Sequence, residues 1–396
     1  MSSLFQSGSI GSMQLKNRFV RSATAEFLAT KEGRVTDKYR DAYERLAKGG
    51  VGLIISGNFY VNETGRAYPN NIMIDKEEQI KELKTVTDLV HKHGSKIVAQ
   101  INHAGRQCDP KYYKSKPIAP SSIRDMLSLV KPKEMTVDEI EITINAFTDA
   151  AKRIKAAGFD GIQIHAAHGY LINQFLSGHT NRRKDQWGGL LENRMRFLLK
   201  IFKRIRSEVG PDYPILIKIN ADDFIKRGVN LEEAIAVCKK LDAEGIDAIE
   251  VSGGIAERGL VTIRGDLPKD LIVKKLNVVE RFLIYFMENT LRKWAHFEEA
   301  YFMPYATEIK KNVKVPVILV GGMRKRRTME KIIENGNADF ISLSRPFIRQ
   351  PNLVNQMKKK EENVITCVNC NRCTIEMLMH HKPMKCYYRG PKDTKQ

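Results

Sequence analysis

Phe159-Asp-Gly-Ile-Gln-Ile164, followed at once by His165-Ala-Ala-His168-Gly-Tyr170, is the stretch on which the fold turns. The apolar run reads as a buried strand, and the segment after Tyr170 as the start of a helix. Two imidazoles and a phenol therefore cluster where a strand ends and a helix begins. In parallel α/β proteins that edge carries the chemistry. Imidazoles can hold a developing oxyanion and a phenol can give up a proton, so the stretch points to an enzyme acting on a polarised carbonyl.

Outward from it, similar runs recur. Upstream lie Arg18-Phe-Val-Arg-Ser22, Gly52-Leu-Ile-Ile-Ser56 and Lys96-Ile-Val-Ala-Gln-Ile101. Downstream come Pro214-Ile-Leu-Ile-Lys-Ile219, Ala248-Ile-Glu-Val251, Pro316-Val-Ile-Leu-Val320 and Asp339-Phe-Ile-Ser-Leu343. They are rich in Ile and Val and nearly continuous in apolarity, as parallel strands covered on both faces should be. Helical patterns separate them. Thr136-Val-Asp-Glu139 has the form of a capping box and opens a helix running to Ala157, closed by Gly158. Asn230-Leu-Glu-Glu opens another that ends near Gly245. Eight strand–helix units predict a (β/α)8 barrel, with a short cysteine-rich C-terminal tail. The long segments 102–135 and 253–297 are expected to build a site or a lid, and Lys275 to Phe302 is expected to be helical.

The totals agree with one large barrel. The chain has 396 residues, 42% of them hydrophobic, which fits one barrel of about 250 to 400 residues and would also fit two ordinary domains. No apolar run approaches the ~20 residues that span a bilayer. The N-terminus lacks the charged and apolar regions of a signal peptide, so a cytoplasmic location is expected. The net charge of +20 reads as a lysine-rich solvated surface rather than a nucleic-acid interface. Its densest runs, Arg324–Arg327 and Lys358–Lys360, are brief and carry no interleaved aromatics for base stacking. No GxGxxG follows a strand and no Walker A sequence is present.

The histidine motif extends through Leu171-Ile-Asn-Gln-Phe-Leu-Ser177, Asn181-Arg-Arg183-Lys-Asp185-Gln-Trp-Gly-Gly189 and Glu192-Asn-Arg194-Met-Arg196-Phe. This resembles the old yellow enzyme family, the FMN-dependent NADH:flavin oxidoreductases and enoate reductases. The likeness runs from about residue 4 to 357, with independent support from Lys16-Asn-Arg-Phe-Val20, His103-Ala-Gly-Arg106 and Val320-Gly-Gly322. It implies a barrel with FMN at the C-terminal ends of the strands, over residues 1–360, and a separate segment at 361–396. His165 and His168 would hold the substrate's activating oxygen and so bind and polarise it. Reduced FMN would pass hydride to the β-carbon, NAD(P)H would reduce the flavin, and Tyr170 would protonate the α-carbon. Asn181, Arg183, Asp185, Asn193 and Arg194 would tie down the following loop.

The resemblance also implies flavin contacts. Ser22, Ala23, Thr24 and Ala25 would run beneath the isoalloxazine ring. Asn58 and Gln100 would meet its pyrimidine side, where an amide can both donate and accept. Lys218 stands where relatives more often carry Arg, a cation that steadies the anionic reduced ring. Gly321, Gly322, Ser344 and Arg345 would cradle the phosphate. Two departures stand out. Ala25 occupies a position where the family often has Cys or Thr, with Thr24 the candidate to compensate. Phe27 replaces a substrate-contacting Tyr, so the identity of the substrate stays open.

Four of the six cysteines lie in the last thirty residues: Cys367, Cys370, Cys373 and Cys386. Their spacing suits thiolate ligation. It resembles the [4Fe-4S] site of dienoyl-CoA reductase and trimethylamine dehydrogenase; structural zinc and a metal-free tail are the alternatives. The expected activity is NAD(P)H-driven reduction of an activated C=C bond in a small molecule. The alternative is a flavin and iron-sulfur subunit relaying electrons with a separate protein. A dihydrouridine-synthase-like role is disfavoured, because no Asn-x-Gly-Cys-Pro segment occurs. A homo-oligomer and an electron-donor protein stay open as partners.

Overall fold

The computed structural model describes residues 2–109, 116–126, 128–360 and 364–390. Parts of the expected loop 102–135 and both ends of the expected segment 361–396 lie outside these. Eight strands line up in chain order: β1 (Phe19–Arg21), β2 (Leu53–Ile55), β3 (Lys96–Asn102), β4 (Gly161–Ala166), β5 (Ile215–Asn220), β6 (Ala248–Ser252), β7 (Val317–Val320) and β8 (Phe340–Leu343). Each pairs in parallel with the next, and β8 pairs with β1, so the sheet closes on itself. The expected (β/α)8 barrel is the observed architecture.

Helices cover the outside, each for a readable reason. α1 (Asp37–Lys48) and α2 (Glu78–Lys92) follow β1 and β2. α3 (Val137–Ala156) starts at the Thr136–Glu139 capping box, whose two reciprocal hydrogen bonds are both formed. It ends before Gly158, whose φ of +79° a side chain would resist. α4 (Leu191–Val209) and α5 (Leu231–Ala243) follow, the latter capped by Asn230. The aromatic-rich segment is helical over Val278–Ala295, inside the expected bounds.

Inside the barrel, the period of two along each strand splits the side chains cleanly. Ile97, Ala99, Ile217, Ile249 and Val251 pack outward under the helices. Val20, Leu53, Ile55, Val98, Leu216, Ala248, Ile318 and Phe340 pack inward as an apolar floor. An antiparallel hairpin, Gly8–Ile10 with Met13–Leu15, adds Ile10, Met13 and Leu15 to that floor and closes the barrel's N-terminal end. Sequence reading did not anticipate this plug, because Gly8-Ser-Ile10 and Met13-Gln-Leu15 are each interrupted by a polar residue and form no continuous apolar run.

Candidate active site

One inward step above the floor, the same strands carry polar groups. Gln100 Nε2 donates to Gln163 Oε1 at 2.7 Å, and Gln163 Nε2 donates to Glu250 Oε2 at 2.8 Å. Ser22 and Ser342 each donate to Glu250 Oε1 at 2.8 Å. Lys218 Nζ donates to Ser22 Oγ at 2.8 Å and lies 3.2 Å from Glu250 Oε2. This ring follows from register, since Lys218 faces Glu250 on β6 and His165 on β4. Both charges are buried, and each is paired, which is the condition for keeping them there. Gln163 and Glu250 were not among the expected site residues. The signal was present: each is a polar residue at an inward position of an otherwise apolar strand.

His165, His168 and Tyr170 meet above this layer. The His165 ring lies 5.1 Å from that of His168 and 5.0 Å from that of Tyr170, both edge to face. His168 has a left-handed backbone, φ +62°, which turns the chain sharply out of β4. Its amide donates to Asn220 Oδ1 at 3.2 Å, and its Nε2 lies 2.8 Å from Ser252 Oγ. Asn220 and Ser252, at the ends of β5 and β6, therefore hold that imidazole. His165 Nδ1 is buried with no hydrogen-bond partner among the described residues. Burial, with the neighbouring His168 and Lys218 charges, holds the His165 pKa well below the usual range; burial and Lys218 push His168 down to about 3. Burial first, then Tyr68, Tyr60 and Cys108, holds the Tyr170 phenol well above its usual range. At neutral pH the pair is uncharged and the phenol keeps its proton.

Around the mouth, Thr24 Oγ1 and Ser344 Oγ are 2.7 Å apart, joining the ends of β1 and β8. Ala23, Thr24 and Ala25 are half-buried there. Asn58 is buried and accepts from Asn71 Nδ2 at 3.2 Å. Phe27 adopts φ +53° and packs 5.2 Å from the Tyr68 ring and 5.8 Å from that of His381. Neither Tyr68 nor His381 was expected, because nothing in the local sequence brings the tail to Phe27. His103-Ala-Gly-Arg106 braces the site, the His103 carbonyl accepting from Leu171 N at 2.9 Å. Asn181 Nδ2 donates to the Phe175 and Trp187 carbonyls, both at 2.8 Å. Arg183 forks onto Asp185, Arg194 pairs with Glu233, and Asn193 accepts from Arg196.

Gly321 and Gly322 have φ of +120° and +74°, and a Cβ on either would strike the Tyr301 ring at 2.8 Å. Near them, Arg264, Arg324 and Arg345 gather around Tyr301. Burial and the adjacent Arg345 charge lower the Arg324 guanidinium to about 10. Arg264 and Arg324 each keep a buried Nε without a partner among the described residues. Arg345 donates to the Ile263 and Arg264 carbonyls and to Asn371 of the tail. A buried cationic group with unsatisfied donors is what a phosphate completes. Arg264 had escaped the sequence reading because it sits in a loop with no periodicity, and Arg324 had been read only as part of a solvated basic run.

A model of the NADH:flavin oxidoreductase / NADH oxidase family matches residues 3–259 and 266–363. The chain belongs to this family. An NADH oxidase from Thermoanaerobacter brockii is 38% identical over 371 residues, 93% of this chain. The chain spans only 52% of that relative's length. A structure of 2-naphthoyl-CoA reductase is similar at a TM-score of 0.85 and 29% identity, over 97% of this chain and 56% of that one. The old yellow enzyme homologue from Zymomonas mobilis matches at a TM-score of 0.74 and 25% identity, over 99% and 98% of the two chains. FMN and NAD(P)H accompany this family. The orphaned guanidinium donors and the unsatisfied His165 nitrogen fit a flavin phosphate at one end of the site and a polar ligand at the other.

The four tail cysteines, all free thiols, line one cavity together with Arg345 and Arg349. Arg349 Nη1 lies 3.2 Å from Cys386 Sγ, and Arg324 Nη2 lies 3.8 Å from Cys367 Sγ. Among the described residues no three His, Cys, Asp or Glu side chains converge on a single-ion site. No helix among them is long and apolar enough to cross a membrane.

Proposed function

We propose that this flavin oxidoreductase barrel reduces activated C=C bonds at the expense of NAD(P)H. The observation that carries this reading is the His165 imidazole in ring contact with both His168 and the Tyr170 phenol, its Nδ1 buried and unsatisfied among the described residues. FMN, when bound, supplies the hydride. A neutral imidazole donates an N–H to a carbonyl oxygen without carrying charge of its own, and so favours the oxygen as it becomes negative. Ser252 holds the His168 ring in place by engaging its Nε2. His165 Nδ1 needs a partner that the substrate oxygen can provide. Tyr170, a weak acid raised further by its surroundings, surrenders its proton only to a strong base such as an enolate carbon. Lys218, Gln100, Asn58, Ser22, Ala23, Thr24 and Ala25 would meet the flavin ring, and Gly321, Gly322, Ser344, Arg345, Arg324 and Arg264 its phosphate. Phe27, with Tyr68 and His381, would face the substrate.

The four tail cysteines would hold a [4Fe-4S] cluster. One zinc ion needs all its sulfurs within ~2.3 Å of a single point, whereas a cubane spreads its ligands around a larger void. The four cysteines line one cavity, and their spacing resembles that of the [4Fe-4S] relatives, which supports the cluster. All six thiols are free, in keeping with a cytoplasmic setting.

Two measurements test these readings. Stoichiometric FMN and NAD(P)H-driven reduction of a cyclic enone are expected, and a folded chain that cannot be loaded with FMN would sink the first. Anaerobically purified protein should contain iron and acid-labile sulfide. Zinc without sulfide would overturn the second.

A further inference from the structure

The loops after β4 and β5 leave an open cleft of about 770 Å³. Arg182, Arg183, Arg194, Lys226, Arg227 and Arg258 line it. Two are already neutralised, Arg183 by Asp185 and Arg194 by Glu233. Among the described residues the others have no carboxylate partner of their own. Arg258 lies 4.0 Å over the Trp294 ring and donates to the Phe224 carbonyl at 3.1 Å. The Arg182 pKa is held down by burial and by the like charge of Arg227, and its buried Nη1 has no hydrogen-bond partner among the described residues. Asp222, the remaining acid on the wall, is turned to the Phe224 amide at 2.6 Å, and its own pKa is pushed up by burial.

Like charges held together without a counter-ion cost free energy that an anion relieves. Planar guanidiniums with free donors suit phosphate oxygens in particular. The volume lies in the ~300–1,000 Å³ range of organic-ligand sites and exceeds the need of a lone inorganic ion. The cleft also shares its scaffold with the imidazoles. Asn220 receives the His168 amide and donates to Asp223 Oδ1 at 2.8 Å. Asp223 Oδ2 then accepts from the amide of Val229, on the cleft wall, at 2.9 Å. The cleft wall and the His168 turn are thus braced by the same two side chains, Asn220 and Asp223.

We propose that this cleft binds the phosphate groups of a nucleotide-type handle whose reacting end lies at the imidazole pair. The handle belongs either to the reductant or to a substrate carried on a phosphorylated nucleotide; the chemistry of recognition is the same. The orientation rests on the proposed function, but the binding does not.

The test uses the full chain loaded with FMN, so that the flavin phosphate site is filled. Inorganic pyrophosphate and ADP are titrated calorimetrically at low and high salt, against wild type, Arg182→Gln, Arg227→Gln and the double variant. Saturable pyrophosphate binding is expected, weakened about ten-fold by each substitution, as the loss of a charge-assisted hydrogen bond predicts. It should fall steeply with salt. Retained FMN and an unchanged melting temperature show that the variants are folded. No saturable binding by wild type at low salt, or equal affinity in wild type and the double variant, overturns the proposal. Where binding is present, pyrophosphate inhibition competitive with NAD(P)H assigns the handle to the reductant. Inhibition of another pattern assigns it to the second substrate. Because the titration needs no turnover, its failure would leave the redox reading standing, and failure of that reading would leave the measured affinity intact.

Discussion

Val98 and Gln100 point into the barrel from one strand, as do Leu216 and Lys218, Ala248 and Glu250, and Phe340 and Ser342 from others. In each pair the first residue belongs to an apolar floor and the second to a hydrogen-bonded polar layer. The floor is held by packing alone, which tolerates any well-shaped apolar residue. The polar layer depends on every partner being present. A buried donor left alone costs about 1–3 kcal/mol, whereas the same bond, when made, contributes only about 1 kcal/mol. The floor therefore makes a barrel, and the layer above it makes a site.

This contrast can be broken from either side. Phe340→Ala removes the largest side chain of the floor and should cost about 3–5 kcal/mol in a denaturant melt. FMN content per folded chain should not change, and parallel loss of flavin would mean the two layers are not separable. Acid should come next. His103, His165 and His168 all titrate below their usual value, His103 and His168 at about 3, with burial the leading cause. As pH falls through ~6.5 the unfolded chain takes up protons that the folded chain refuses. Stability is thus complete above about pH 6.5 and declines below it, by up to about 1.4 kcal/mol per pH unit for each buried imidazole. Glu26 and Asp223, pushed up by burial, take up protons in the folded chain before the unfolded one and so oppose this decline. The slope of the denaturation midpoint between about pH 6.5 and 5 should become shallower in His103→Asn, and an unchanged slope would contradict a neutral buried imidazole there. Ser22→Ala should cost less, about 1–3 kcal/mol, by taking one partner from Lys218 and one from Glu250. Unlike Phe340→Ala, it should loosen FMN, read as a raised dissociation constant.

The floor and the strands were legible because Ile- and Val-rich runs repeat with helical spacers between them. The histidine turn was legible because its residue types cluster within a few positions. The polar layer was only half legible. Gln100 and Lys218 were singled out, but their partners Gln163 and Glu250 become visible only when strand register sets them side by side. Ser252 sits one residue past the run read as a strand; Tyr68 and His381 were illegible because each reaches the site across a long sequence separation, from segments with no periodic pattern. The unpaired cations of the cleft were hidden in a net charge of +20, which says how many charges there are and not which lack partners.

Tyr170 offers the sharpest reading of the upper end of the barrel. Loss of its hydroxyl should change stability least of all the substitutions named, while the chemistry should suffer most. Stopped-flow measurement of the two half-reactions of Tyr170→Phe separates these roles. Flavin reduction by NAD(P)H should keep its rate, and reoxidation by an enone should slow by about 10²- to 10⁴-fold, the usual worth of a placed general acid. Equal slowing of both half-reactions, or of neither, would contradict a proton donated by Tyr170.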